Sequence, residues 1–393
     1  MSLTVALKKA SAVIELKRLD GLTRGARMSR EQSLHGTMGW LMAAQDGTPD
    51  DGVSYGYSLY EGWAVSYPET TGYILQTFLW YHDRFCAARG NGAEVLDRAR
   101  RMAHWEVDVQ MDSGATPGNF HNPPLVPVVF NTGQVLLGWA EYLRRFDDDR
   151  VRAAALRAGD WLIECMGDKP WFEGGVSAEA QHGNLSYNSM VSWGLAELGD
   201  ALGEQRFSDA ALRSARHYAT QLNERTWLTC AGFSDADSSF PLTHTLGYSI
   251  QGFIEVGRLC RDEALLQTGK RILDAAAAVI DERTGFLPGR VRPDWQGGAD
   301  WACLTGSAQF AYSYLRLALM GRGEPVYLQR AASLIDFVVA TQQDESRVRP
   351  ELAYGVRGSY PFRVKGYQPA TMPNWAAKFL VDAELLLDEI GGL

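Results

Sequence analysis

Residues 69–81 read ETTGYILQTFLWY, and the same plan returns five more times along the chain. A small or polar opening leads into an apolar run with few charges: NTGQVLLGWAEYL from Asn131, YNSMVSWGLAELG from Tyr187, THTLGYSIQGFIEVG from Thr243, LTGSAQFAYSYLRL from Leu304 and PNWAAKFLVDAELLL from Pro373. With Thr77, Gly138, Gly194, Gly252, Ser313 and Asp382 taken as equivalent, the steps between units are 61, 56, 58, 61 and 69 residues. Units of near-equal length, each holding one such run, mark a repeat architecture.

Between the runs lie helices of another kind: Ser29–Gln45, Glu94–Gln110, Arg150–Met166, Phe207–Asn223, Glu263–Asp281 and Pro325–Gln343. Each has an apolar stripe at i, i+3, i+4, i+7 and a charged opposite face, as a helix with one wet side requires. The first set is apolar nearly all round, as a helix buried on both sides requires. Half-wet helices alternating with nearly dry ones describe a double ring, the (α/α)6 toroid. Ser29 and Ser208 suit N-cap positions and Pro325 a first turn. Strand signals are weak. The expected organisation is one toroid domain over residues 1–393, with 1–27 as an N-terminal helical extension.

The chain of 393 residues is 46% hydrophobic and 22% charged, enough material for a packed core. Lys and Arg total 38 against 47 Asp and Glu, so the net charge is 38 − 47 = −9. An acidic chain is a poor reader of phosphate backbones, and no nucleic-acid partner is expected. No apolar stretch reaches the length of a membrane span, and none is expected. The N-terminus, MSLTVALKKASAVIELKRLDG, mixes charge into its apolar positions and does not read as a signal peptide. Cys86, Cys165, Cys230, Cys260 and Cys303 are odd in number and scattered, a pattern that points to a reducing, cytoplasmic setting. They offer no zinc framework, and neither a metal nor a cofactor is expected. Walker A, GxGxxG, HExxH and GxSxG motifs are absent, and Asp235-Ala-Asp237-Ser fails the last position of a DxDD cyclase motif.

Six long connections, 46–68, 111–130, 167–186, 224–243, 284–303 and 345–372, all run from an outer helix to the next inner one. In a ring they open on one end, and long loops in a compact domain are usually functional. They hold many aromatics, among them Trp63, Tyr67, Phe120, Trp295 and Trp301, with Trp375 just beyond the last loop. Flat π faces with polar edges suit a sugar ring, although each aromatic is equally a loop plug against the ring. Carboxylates on the same face are Glu61, Glu69, Glu173, Glu179, Asp235, Asp237, Asp294, Asp300 and Glu351.

Glycosidic cleavage needs two carboxyl groups, one a proton donor and one ionised. Glu69 in SYPETTGY and Asp235 or Asp237 in GFSDADSSF precede the first and fourth inner helices and should face one another. Glu69 is also a natural first-turn partner of its helix dipole, and Asp235 and Asp237 natural turn formers. Stacking is expected from Trp63, Trp295, Trp301 and Trp375, and orientation from His244 and Arg292. Tyr67, His182, Asp300 and Asn374 are further candidates for the substrate cleft. A second chemistry removes the C5 proton of a uronate, with His244, His182 or Tyr187 as the base. It would use cations such as Arg290, Arg292, Arg357, Arg363 and Lys365 to neutralise the carboxylate. His121 and His182 are more plainly structural hydrogen-bonders. The third reading is a toroid that binds a glycan or a protein without catalysis.

With SYPETTGY (66–73), LTHTLGY (242–248), CLTGSAQ (303–309) and MPNWAAKF (372–379) at the helix mouths, the chain resembles the (α/α)6-toroid carbohydrate-active enzymes. It is most similar to bacterial glycan-processing proteins akin to the glucuronyl C5-epimerase C-terminal domain, and more loosely to toroid glycoside hydrolases and uronate lyases. The resemblance implies an oligo- or polysaccharide substrate in a cleft built from the long loops. It carries over no catalytic residue. The leading expectation is hydrolysis of a glycan containing acidic sugars, with a lyase or C5-epimerase as the alternative.

Overall fold

The computed structural model describes residues 3–23, 28–90, 92–118 and 124–392. His121 and Phe120, named above, lie outside the described residues, as does the 24–27 part of the expected extension. Among the described residues thirteen α-helices carry the fold. α1 (Leu3–Leu22) precedes the ring. α2 (Arg30–Asp46), α4 (Ala93–Val109), α6 (Asp149–Met166), α8 (Gln205–Ala219), α10 (Glu263–Ala276) and α12 (Pro325–Val339) form the outer layer. α3 (Pro68–Tyr81), α5 (Val129–Leu143), α7 (Ser189–Leu202), α9 (Thr243–Leu259), α11 (Leu304–Leu319) and α13 (Asn374–Glu389) form the inner layer. Each inner helix packs against the next, and α13 returns to α3, so the circle is closed.

Burial follows from the sequence of each set. Every residue of α5 is buried, whereas α8 buries one stripe made of Phe207, Ala210, Ala211, Ser214, Ala215 and Tyr218. Inner helices approach closely because small residues stand where they cross. A Cβ on Gly138 would come within 2.0 Å of the Gly72 carbonyl oxygen, and one on Gly194 within 2.1 Å of that of Gly133. In the closing segment the contact becomes polar: Thr77 Oγ1 donates to Asp382 at 2.6 Å. Caps set the ends. Ser29 and Gln32 make a reciprocal capping box on α2, and Pro325 occupies the first turn of α12. Ser208 is not a cap: α8 starts at Gln205 behind Glu204, which places Ser208 inside the helix.

All long connections (47–67, 110–128, 167–188, 220–242, 277–303 and 340–373) lead into inner helices. Short strands knit them together. Gly56–Ser58 pairs with Gly62–Trp63 and with Thr371–Pro373, which ties the first loop to the last. Ala302–Cys303 pairs with Ser359–Tyr360. α1 leans on the last loop, where Asp20 accepts from Arg357 Nη1 at 2.6 Å and from the Phe362 amide at 2.8 Å.

Below the loops the ring axis is filled. Four residues before the equivalent positions stand Tyr73, Gln134, Met190, Tyr248, Gln309 and Lys378, all buried. Three residues after them stand Trp80, Glu141, Glu197, Glu255, Arg316 and Leu385, and six after come Asp83, Arg144, Asp200 and Arg258. These charges interlock at the short-loop end. Arg144 reaches Glu197 at 2.6 Å and Asp200 at 2.7 Å; Arg258 reaches Glu255 at 2.6 Å and Glu197 at 3.2 Å; Arg316 reaches Glu255 at 2.7 Å. Burial alone would raise the Glu255 carboxyl, but the charges of Arg316 and Arg258 outweigh it and hold it down to about 2. Among the described residues no helix is long and apolar enough to cross a membrane.

Candidate active site

At the long-loop end the inner helices frame a cavity of about 510 Å³. Its floor comes from the first turns of the inner helices and, for Tyr187, from the 3-10 turn that leads into α7. Glu69, Phe130 and His244 stand eight residues before the equivalent positions, and Asn131, Tyr187 and Trp375 stand seven before. The walls are loop residues: Tyr55, Ala64, Tyr67, Gly118, Ser177, Glu179, Phe233, Tyr367 and Gln368. The aromatics brace one another edge to face, Tyr55 with Trp375 at 4.7 Å, Phe130 with Tyr187 at 5.1 Å and with Tyr248 at 5.0 Å, and Tyr187 with Phe233 at 5.4 Å.

Glu69 lies in the first turn of α3, behind Tyr67 and Pro68. Removal from bulk water pushes its carboxyl up to about 8; a hydrogen bond from Tyr67 opposes the rise, and the negative charge of Glu179 adds to it. At neutral pH Glu69 therefore holds a proton that it can deliver. Glu179 is exposed at the mouth. Tyr67 and Tyr187 are pushed well above the ordinary phenol range by burial, with the charge of Glu69 adding to it, so both remain protonated donors.

His244 is 3% exposed, and burial lowers its imidazole to about 4, against a hydrogen bond with Gln309 that raises it. It is neutral at physiological pH. Among the described residues no Lys or Arg lines the cavity.

The structure thus brings Glu69, Tyr67, Tyr187, His244 and Trp375 to one cavity and puts the other expected residues elsewhere. Asp235 is exposed on the rim, 3.2 Å from His182 Nε2. Asp237 is a loop brace: it accepts from the Phe233 amide at 3.1 Å and from Arg290 Nη1 at 2.7 Å. The same bond, with a second to the Phe240 carbonyl at 2.6 Å, ties up Arg290, while Arg292 lies over the Phe240 ring. Both aspartates are engaged away from Glu69, Asp235 by His182 of the preceding long loop and Asp237 by Arg290 of the following one. Asp300 and Arg363 pair with one another at 3.0 Å on the outer surface.

Four of the expected sugar contacts are plugs or tethers. Trp63 packs on Trp40 and Tyr57, each at 5.1 Å; Trp295 packs on Trp227 at 5.5 Å and donates to the Thr226 carbonyl; Trp301 is buried with Leu242 and Cys303. Asn374 is fully buried, its amide nitrogen donating to the Ser54 carbonyl at 2.7 Å and to Thr70 at 2.8 Å. Glu179 belongs to the carboxylates of the long-loop face, and Tyr55 and Tyr367 to its loop aromatics, whereas Asn131, Tyr248 and Gln368 are not among the expected site residues. Asn131 and Tyr248 carried a signal, since both lie in the opening turns of the repeat.

No group of three or more His, Cys, Asp or Glu that could hold a metal ion occurs among the described residues. No protein-family model matches the sequence, and no curated protein matches it. Solved structures match the fold over nearly their full length. An unsaturated glucuronyl hydrolase specific for heparin is 12% identical with a TM-score of 0.70, over 93% of this chain and 98% of that one. A polysaccharide lyase is 10% identical with a TM-score of 0.64, over 92% and 97%. A sugar epimerase from a ruminal bacterium is 13% identical with a TM-score of 0.65, over 90% and 98%. What this chain shares with all three is the helical toroid fold of carbohydrate-active enzymes.

Proposed function

We propose that the chain is a carbohydrate-active enzyme that hydrolyses a glycosidic bond in an oligo- or polysaccharide containing acidic sugars. One observation carries the reading: Glu69 stands at the base of an aromatic-walled, sugar-sized cavity with Glu179, where removal from water and the Glu179 charge raise its carboxyl. Glu69 protonates the departing oxygen, and Glu179, exposed to water at the mouth, is the second carboxyl group of the pair. The tyrosine hydroxyls, Asn131 and Gln368 offer hydrogen bonds to sugar hydroxyls, and Trp375 with Tyr55 offers apolar faces. The solved neighbours support an acidic glycan, one being a hydrolase specific for heparin. Among the described residues Cys165, Cys230, Cys260 and Cys303 are free thiols, which supports a reducing compartment, the cytoplasm.

C5 proton abstraction is the second reading. Neutral His244 in the same cavity favours it, and the lack of a described cation to neutralise a uronate carboxylate weighs against it.

A panel of uronate-containing oligosaccharides, saturated and unsaturated, separates these activities. Hydrolysis gives new reducing ends without new ultraviolet absorbance, or with loss of it where the terminal uronate is unsaturated. A lyase product gains absorbance through its C4–C5 double bond. An epimerase takes up solvent deuterium at C5 without shortening the chain. Binding with none of these signals would leave a non-catalytic glycan-binding toroid and overturn the proposal.

A further inference from the structure

His244 meets the cavity with an amide relay at its back. Nδ1 lies 2.7 Å from Gln309 Oε1, and Gln309 Nε2 donates to Gln251 Oε1 at 2.9 Å. Both glutamines are fully buried, Gln251 on α9 and Gln309 on α11. Gly247 makes room for the relay: a Cβ there would stand 2.7 Å from Gln309 Oε1. With the amide oxygen turned to the ring, Nδ1 carries the hydrogen and Nε2 is left with a lone pair. The other faces of the imidazole meet Tyr248 at 4.3 Å, Tyr367 at 5.6 Å and Phe379 at 6.3 Å, and its backbone amide points at the buried Cys303 thiol. No carboxylate or cation stands among these groups.

We propose that Gln309, braced by Gln251, is a positioning residue that fixes His244 as a neutral hydrogen-bond acceptor on the cavity floor. His244 then selects a sugar that presents a hydroxyl donor at that position. The ligand half of the proposal rests on the carbohydrate reading of the cavity; the tautomer half does not. A carboxylate only accepts, so it gains nothing against Nε2. An acidic sugar is therefore oriented with its carboxylate away from α9 and with a hydroxyl on His244.

Nitrogen-15 NMR of histidine-labelled protein tests the tautomer without substrate, His244 being assigned by its loss in His244→Asn. At pH 7 the expected pattern is a protonated Nδ1 and an unprotonated Nε2. In Gln309→Met, close in volume, the two tautomers mix. In Gln309→Glu the carboxylate beside Nδ1 raises the ring's titration midpoint by about one unit or more. A wild-type ring protonated at Nε2, or a pattern unchanged in both Gln309 variants, overturns the relay.

Methyl β-glucuronide and methyl β-glucoside then serve as probes. Both are expected to shift His244 Nε2 together with the Trp375 indole signal. A shift of Trp375 with Nε2 unmoved overturns hydroxyl selection. If neither signal moves with either probe, the carbohydrate reading fails while the relay still stands or falls on its tautomer.

Discussion

At the residue scale the site rests on two side chains that burial has pushed in opposite senses, an acid that keeps its proton and a base that refuses one. If Glu69 is the proton donor, kcat/KM falls as pH rises through about 8, the value to which removal from water has lifted it. Glu69→Gln should lower kcat by about 10²–10⁴-fold and erase that limb. In Glu179→Gln the limb should move to lower pH, because a like charge no longer opposes ionisation. Asp235→Asn is the contrast and should keep full turnover, since that carboxylate faces solvent and His182. Steady-state pH profiles of the three variants check all of this. His244 has a stability signature of its own. Its folded value of about 4 lies below the ordinary 6.5 of an imidazole, so the unfolded chain takes up the proton first. Stability is lost as pH falls from 6.5 to 4, by about 3 kcal/mol. Urea unfolding of His244→Asn across that window should show the flatter profile.

At the element scale the fold was legible because an inner helix obeys two demands at once, dryness all round and a small residue at the crossing. Gly138 and Gly194, which aligned the repeats, are where backbones touch. Gly138→Ala or Gly194→Ala should cost about 1–3 kcal/mol or more in urea unfolding, since a carbonyl of the neighbouring helix occupies the space of the new methyl. The site was half legible for the same reason. Glu69, Tyr187, His244 and Trp375 sit in opening turns whose direction the repeat dictates. Loop residues follow no period: Glu179, Asp235 and Asp237 read alike as acidic loop residues, and bonds to His182, to the Phe233 amide and to Arg290 decide which of them turns away. Trp295 and Trp301 misled because a large aromatic serves as well for plugging a loop as for stacking on a sugar.

At the scale of the whole molecule the two ends of the ring have been put to different uses. The short-loop end is bound by Glu255, Glu197, Arg144, Arg258 and Arg316, and Glu255 is entirely buried. Glu255→Gln leaves Arg316 without its carboxylate and should cost about 3–5 kcal/mol. The folded carboxyl ionises near 2 against an ordinary 4.5, so its contribution is present above 4.5 and fades as pH drops toward 2. Thermal unfolding of the variant and parent between those values should converge at the acidic limit. Between the two ends, Tyr73, Gln134, Met190, Gln309 and Lys378, one turn deeper along the inner helices than the floor residues, are shut off from solvent entirely. The hollow is therefore a cul-de-sac among the described residues. Whatever is released inside it must back out through the doorway by which the next molecule arrives, so departing fragments should compete with incoming ones, and a long polymer could not be reeled through like thread through a bead.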